Sequence, residues 1–424
     1  MESRRGFLWK FKYTMLAICW TGNMVSYLDR MVMAIAIPYI ATEFGLSATS
    51  MGVVMSAFFF GYATCQIPGG ILVDKFGARK VMIGTILFWS GMTVVSGAMW
   101  SLTSLVVARV FFGIGEGLQP PSAHKTISHW FTTKERSFAV STMITANVVG
   151  SAFAPLIAVP IVANLGWRPA FYVLALPGVL LATWIWFTFT NTPEEKKGLP
   201  QAQLDETKDE GIVATKADAS QTFWQILAEP IVWKSFLVIF FYNMTLWGFS
   251  FWLPTYLVKS RGLSLAAMGI ASALPFMAGA VGLLLSGWLS DHVFSNNRKI
   301  PVMINGWCGA ACLYFMYTVG SMESLLVWQT AAGFFIWGGV GVAFGMPVSI
   351  ISKNIMGRAM GIVNTAGQIS GFISPMVVGG LVDHFGGNFD VAFMYLIGSV
   401  IASTVCCMLL PKNKPEMQLA KAVA

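Results

Sequence analysis

Apolar residues run along the 424-residue chain in long blocks separated by short polar joints. An α-helix rises 1.5 Å per residue, so about 20 apolar residues cross the ~30 Å hydrocarbon layer of a bilayer. Blocks of that length lie near residues 14–39, 50–72, 80–99, 102–123, 138–163 and 169–190. A second set lies near 231–257, 266–290, 301–319, 324–350, 358–382 and 391–411. Between the sets, residues 191–230 hold Glu194, Glu195, Lys196, Lys197, Asp205, Glu206, Lys208, Asp209 and Glu210. That stretch reads as a solvated linker, with room for a short amphipathic helix around 223–227. The pattern predicts an all-α polytopic membrane protein of twelve transmembrane helices. It comprises an N-terminal six-helix bundle over 1–190, a cytoplasmic linker over 191–230 and a C-terminal six-helix bundle over 231–424.

Composition removes the soluble alternatives. Hydrophobic residues make up 56% of the chain and charged residues 11%, against about 25% charged in an ordinary soluble domain. With a mean hydropathy of +0.67, too few polar residues remain to cover a water-facing surface, so lipid must cover most of it. The abundance of Gly (42), Met (24) and Phe (32) suits closely packed membrane helices better than a β-barrel. Cys19, Cys65, Cys308, Cys312, Cys406 and Cys407 all sit in apolar runs and read as small helix-packing residues. The first apolar run is too long for a signal peptide, carries Asp29-Arg30 and lacks a small-residue cleavage site.

The net charge of +8 is distributed as a topology signal rather than as a nucleic-acid patch. With an even number of spans, one side collects Arg4, Arg5, Lys10, Lys12, Lys75, Arg79, Lys80, Lys125, Lys134 and Arg136, then the linker lysines and the basic residues from Arg298 onward. The other side holds only Arg168, Lys259 and Arg261. The excess of Lys and Arg in cytoplasmic loops predicts cytoplasmic termini.

The two halves echo each other. Gly70-Ile71-Leu72-Val73-Asp74-Lys75-Phe76-Gly77-Ala78-Arg79-Lys80 joins spans two and three. Gly287-Trp288-Leu289-Ser290-Asp291-His292 opens the joint between spans eight and nine, and Arg298-Lys299 closes it. Both have the same Gly-to-Asp spacing, at an offset of 217 residues between Gly70 and Gly287. Such a parallel repeat predicts two similar bundles with a binding site between them near the midplane.

The first of these segments resembles the loop signature of the major facilitator superfamily, and 291–298 resembles its weaker second-half copy. Further segments narrow the resemblance. They are Tyr27-Leu28-Asp29-Arg30, Arg109 with Gly113-Ile114-Gly115-Glu116-Gly117, Trp130-Phe131 before Glu135-Arg136, and Phe251-Trp252-Leu253-Pro254. Together they are similar to the anion:cation symporter family, which includes bacterial carriers of galactonate, glucarate, hexuronates and some aromatic acids, and relatives of sialin. The resemblance covers essentially the whole chain. It implies proton-coupled transport of a small organic anion, with proton-coupling acids at Asp29 and Glu116 and substrate ligands at Tyr27 and Arg30.

The residues support that reading independently. An ionisable group within a span costs about 2.5–3.5 kcal/mol on insertion scales, so it lines a cavity or finds a partner. Four such residues lie deep: Asp29, Arg30, Arg109 and Glu116. Asp29 is ten residues before Tyr39, roughly 15 Å below the outer edge, and Arg109 is roughly 10 Å deep. They are expected to form a breakable ion pair, so that Asp29 takes up a proton in one conformation and releases it in another. Glu116 shares a face with Arg109 two turns further in, with Gly113 expected to leave room between them. Lacking a basic neighbour in its own helix, Glu116 is the second proton-coupling candidate. Arg30, about 100° around the helix from Asp29, offers a planar fork for the substrate carboxylate, and Tyr27 shares its face. Two alternatives stay open: Arg30 as an internal counter-ion to Asp29 or Glu116, and all four as a static network.

The offset of 217 places Trp247, Leu326 and Gly333 opposite Arg30, Arg109 and Glu116, so the second half has lost the charges. It is expected to supply shape and neutral hydrogen bonds through Tyr242, Asn243, Trp247, Asn364 and Gln368, with Asn147 similar in kind. Helix-to-helix bonding is the alternative for these amides. Asp74, Arg79 and Lys80, with Glu135, Arg136, Asp291 and Arg298, are candidate gating residues on the terminal side. The resemblance implies a latch there, with Asp74 stabilised at a neighbouring helix N-terminus; topology-setting charge is the alternative.

No cofactor is expected. His124, His129, His292 and His384 form no ligand cluster, Gly113-Ile114-Gly115 sits mid-span with no strand before it, and no Walker motif occurs. The expected partners are the anion, protons and lipid, for a monomer in a bacterial inner membrane. A proton-driven drug exporter is the competing function, but exporters carry a GPxxGG-like run in span five where this chain has Gly150-Ser151-Ala152-Phe153-Ala154-Pro155. A nontransporting sensor is a third reading, opposed by the lack of an appended kinase-like or nucleic-acid domain.

Overall fold

The computed structural model describes residues 10–201, 203–204, 223–351 and 355–411. Over these residues the chain is helical, and twelve spans are long and apolar enough to cross a bilayer. In the first half they are α1 (Phe11–Phe44), α2 (Ala48–Phe76), α3 (Ala78–Gly97), α4 with α5 (Leu102–Gly117, Gln119–Trp130), α6 (Thr133–Leu165) and α7 with α8 (Trp167–Leu174, Leu176–Thr188). The short α9 (Phe223–Ala228) occupies the place predicted for an amphipathic helix. The second half has α10 (Pro230–Lys259), α11 (Leu265–His292), α12 (Lys299–Thr318), α13 (Met322–Ile350), α14 (Met356–His384) and α15 (Asp390–Met408). The linker residues 205–222 lie outside the described residues.

Several helices outrun their apolar blocks, because the helix continues into polar residues at the bilayer edge. The fourth span runs to Trp130 rather than residue 123, through a break at Leu118. The cause is local: Pro120 and Pro121 lack the amide protons that would continue the ladder, and Pro is tolerated in a first turn. That break falls two residues after Glu116.

Helix pairing repeats between the halves. α1 packs on α6 as α10 packs on α14, and α2 packs on α4 as α11 packs on α13. Glycines set the closest of these contacts. A Cβ at Gly61 would run into the Val110 carbonyl, one at Gly113 into that of Phe58, and one at Gly117 into that of Tyr62. α2 and α4 therefore touch backbone to backbone, the small-residue packing of membrane helices. Gly113 faces α2, and does not open space between Arg109 and Glu116 as expected. In the second half Gly282 and Gly333 make the same kind of contact between α11 and α13.

Ile67, Trp100, Leu180 and Phe187 are each at least 70% exposed. Lipid is the solvent that makes such a surface stable. The halves meet through α2 on α14, α6 on α11 and α1 on α10. Of the close cross-contacts, Gly52 with Pro375, Gly379 with Ala48 and Gly269 with Val159 lie toward the face opposite the termini, and Gly371 meets the Phe59 ring mid-helix.

Candidate functional site

A cavity of about 300 Å³ lies between the halves, with walls from both. From α1 it takes Asn23, Ser26, Tyr27 and Arg30, spaced i, i+3, i+4 and i+7 on one helical face. Tyr62 and Gln66 of α2 stand one turn apart, and Glu116, Gln119 and His124 come from either side of the α4/α5 break. α6 contributes Asn147, α10 contributes Asn243 and Trp247, and α14 contributes Asn364 and Gln368.

At the wall of this cavity Arg30 Nη2 donates to Glu116 Oε2 at 2.8 Å, with side-chain exposures of 4% and 0%. The guanidinium also lies among aromatic rings: Phe58 at 4.3 Å, Tyr27 at 4.4 Å, Tyr62 at 5.2 Å and Trp247 at 5.5 Å from its carbon. Ring faces attract a cation most where water is excluded. Trp247 comes from the other half and stacks on Tyr27, so one ring of the cage crosses the interface. The pair is a single bond rather than a fork. Glu116 Oε1 and Arg30 Nε have no protein hydrogen-bond partner among the described residues, so both ions keep unused bonding capacity.

The ion pair expected between Asp29 and Arg109 is not formed. Neither carboxylate oxygen of Asp29 meets a donor among the described residues. Arg109 packs over Phe112 at 4.5 Å and Phe58 at 5.4 Å. Both residues are buried behind the cavity wall and do not line it. Glu116 instead pairs with Arg30, across from α4 to α1. Sequence position offered both arrangements; the rotation of α1 chose this one.

Tyr27, Asn147, Asn243, Trp247, Asn364 and Gln368 line the cavity as expected of site residues, but Tyr242 does not. Its hydroxyl donates to the Phe335 carbonyl at 3.1 Å, fastening α10 to α13. Asn243 also donates to the Ile239 carbonyl one turn back. Asn23, Ser26, Tyr62, Gln66 and Gln119 were missed by the sequence reading. Their signal was available: polar residues recurring at helical spacing in helices that are otherwise apolar.

Among the described residues, Asp74, Arg79, Glu135, Arg136, Asp291 and Arg298 make bonds within their own halves. Asp74 accepts from Lys125 Nζ at 2.7 Å. It lies in the last turn of α2. Arg79 donates to the Trp186 carbonyl and takes Asn191 Oδ1 on its amide; Lys80 is exposed. Glu135 accepts twice from Lys12, at 2.7 and 2.9 Å, tying α6 to α1. Partial burial would raise the Glu135 carboxyl, but the Lys12 ammonium together with hydrogen bonds from Thr132 holds it below its ordinary value. Arg136 donates to the Phe131 and Ser128 carbonyls, and Asp291 pairs with Arg298 at 2.9 Å. At the opposite face, Asp383 accepts from the first two amides of α2.

Twelve spans, a repeat in helix pairing and a central cavity holding one ion pair define a polytopic membrane transporter rather than an enzyme. Residues 19–375 match the Major Facilitator Superfamily, and the chain belongs to that family. It is 32% identical to a probable sulfoacetate transporter of Cupriavidus necator, covering 96% of each chain. It is 30% identical to a D-galactonate transporter of Escherichia coli, covering 94% of this chain and 95% of that one. Among solved structures, a bacterial homologue of the lysosomal transporter Spinster in an inward-facing, occupied conformation superposes with a TM-score of 0.75 at 18% identity, covering 94% of this chain and 96% of that one. A D-xylose–proton symporter does so at 0.73 and 17%, covering 95% and 99%. These two likenesses are of fold.

Proposed function

We propose that the protein is a proton-coupled symporter that brings a small organic anion into the cell by alternating access. The substrate is a sugar acid such as an aldonate, uronate or aldarate, or another small carboxylate. The rocking bodies are the bundles 1–190 and 231–424, in a monomer in a bacterial inner membrane with both termini cytoplasmic. The Lys and Arg asymmetry supports that orientation. Relatives named for sulfoacetate, galactonate and hexuronate transport support the substrate class.

The observation that carries the reading is the Arg30–Glu116 pair on the cavity wall. A buried ion left without its partner costs several kcal/mol, about 3–5 in typical cases. With Glu116 ionised, the empty carrier holds a neutral pair and can reorient. A proton on Glu116 cancels that carboxylate and frees the guanidinium for the carboxylate of the substrate, which restores neutrality. A proton alone strands Arg30, and an anion alone adds a third charge. Either state is costly to carry through the membrane, so proton and anion travel together.

Tyr27, Asn147, Asn243, Trp247, Asn364 and Gln368 hold the rest of the substrate. Carboxamides both donate and accept, as substrate hydroxyls do. Asp29 and Arg109, behind the wall, are the second protonatable pair, closing in another conformation. Asp74, Arg79, Lys80, Glu135, Arg136, Asp291 and Arg298 act at the terminal face when that face closes.

The test is counterflow in proteoliposomes with a panel of aldonates, uronates, aldarates and aromatic acids beside cationic drugs. Exchange of at least one acid, accelerated by an inward proton gradient, is expected. Carriage of cations and of no acid would overturn the reading.

A further inference from the structure

We propose that Asp383 is a gating residue of the transport cycle, whose carboxylate holds the face opposite the termini shut by capping a helix of the other half. The proposal rests on the alternating-access reading above.

Asp383 stands one residue before the end of α14. Its Oδ1 accepts from the Ala48 amide at 2.9 Å and its Oδ2 from the Thr49 amide at 2.7 Å. These are the first two residues of α2. First-turn amides have no acceptor within their own helix, and the positive end of the helix dipole favours a carboxylate. α2 has a local cap as well: Ser47 Oγ accepts from the Ser50 amide at 3.2 Å. The local hydroxyl serves one amide and the carboxylate of the other half serves two more. The Asp383 bonds therefore exist only while the halves are together at this face.

Packing around them agrees. α2 and α14 run antiparallel across the interface, Gly52 lies against the Pro375 carbonyl and Gly379 against that of Ala48. Trp252 of α10 donates to the Pro375 carbonyl at 3.1 Å. Hydrophobic contact alone would let the helices slide. Two directed bonds to consecutive amides set one register.

The sequence carries a matching signature. Leu381-Val382-Asp383-His384-Phe385-Gly386 ends α14 as Leu72-Val73-Asp74-Lys75-Phe76-Gly77 ends α2. Since the two helices are antiparallel, these carboxylates sit at opposite faces. In this conformation Asp383 is bonded across the interface, while Asp74 is bonded to Lys125 within its own half. Among the described residues, the carboxylate at this face ties the halves and its counterpart at the terminal face does not, as a carrier open toward the termini requires.

The test follows the separation of the halves at this face by spin-label distance measurement. Nitroxides are placed through Leu165→Cys and Gly320→Cys, both exposed, in full-length protein whose six native cysteines are replaced and whose transport has been verified. Loss of a helix cap shifts such an equilibrium by about fivefold. Asp383→Ala is therefore expected to raise the fraction open at this face about fivefold. Asp383→Asn, which keeps an acceptor without the charge, should fall between that variant and the parent. Ser101→Ala, which removes the cap of α4 inside one half, should leave the distribution unmoved. An unchanged distribution in Asp383→Ala, or an equal shift in Ser101→Ala, overturns the proposal while parent transport stands. A parent that shows one distance under all conditions and carries no anion sinks the transport reading itself, and the gate with it.

Discussion

Arg30 and Glu116 are 86 residues apart in sequence and joined by one 2.8 Å hydrogen bond in a wall built from α1 and α4. Each keeps an unused polar atom. A fully forked pair would be a structural clasp. A single bond beside a cavity can be exchanged for a ligand, and most of the consequences below come from that difference.

Replacing Glu116 by Gln keeps the shape of the side chain and removes its titration. Accumulation of substrate driven by a proton gradient should vanish, while exchange of labelled for unlabelled substrate continues. Uptake and counterflow measured side by side in proteoliposomes separate the two. Accumulation at the parental level would remove Glu116 from coupling.

Arg30→Lys keeps the charge but loses the planar fork and the stacking on Tyr27 and Phe58. The KM for counterflow should rise at least about tenfold, an effect of about 1.4 kcal/mol. An unchanged KM would place the substrate carboxylate elsewhere.

Tyr242 and Trp247 are five residues apart in α10 and should separate cleanly. Tyr242→Phe deletes the bond to the Phe335 carbonyl and should cost about 0.5–1.5 kcal/mol of stability with no change in KM. Trp247→Leu removes a ring from the cavity wall and should raise KM several-fold. Thermal unfolding in detergent and counterflow kinetics distinguish them; a KM effect confined to Tyr242 would contradict the placement of both.

Gly113→Ala sets a methyl group against the Phe58 carbonyl of α2. Overpacking of this kind costs about 1–3 kcal/mol, so the melting temperature should fall. Gly345→Ala has nothing within 4 Å of its new Cβ and should hold or raise it, since Ala is the better helix former by about 1 kcal/mol. Equal behaviour of the two variants would mean that α2 and α4 are not in backbone contact.

The twelve spans were legible in the chain because bilayer thickness fixes the length of an apolar block whatever its neighbours do. The shared spacing in Gly70 to Asp74 and Gly287 to Asp291 announced the repeat that helix pairing then displayed. That the four buried charges lie within spans was legible for the same reason, since the apolar blocks enclose them. Their pairing was not. Asp29 and Arg30 are neighbours in sequence and point about 100° apart, so a modest rotation of α1 decides which of them meets the cavity. Glycine contacts far along the chain set how closely the helices approach, and no local rule exposes that. The same gap separated Tyr242 from Trp247, identical in plausibility as polar aromatics of α10 and opposite in placement. It also hid Asp383, whose partners are backbone amides more than 330 residues away. Sequence determined how many helices cross and which charges lie within them. Tertiary structure alone decided which charges face one another, because helix rotation and the docking of one half on the other depend on contacts summed over the whole interface.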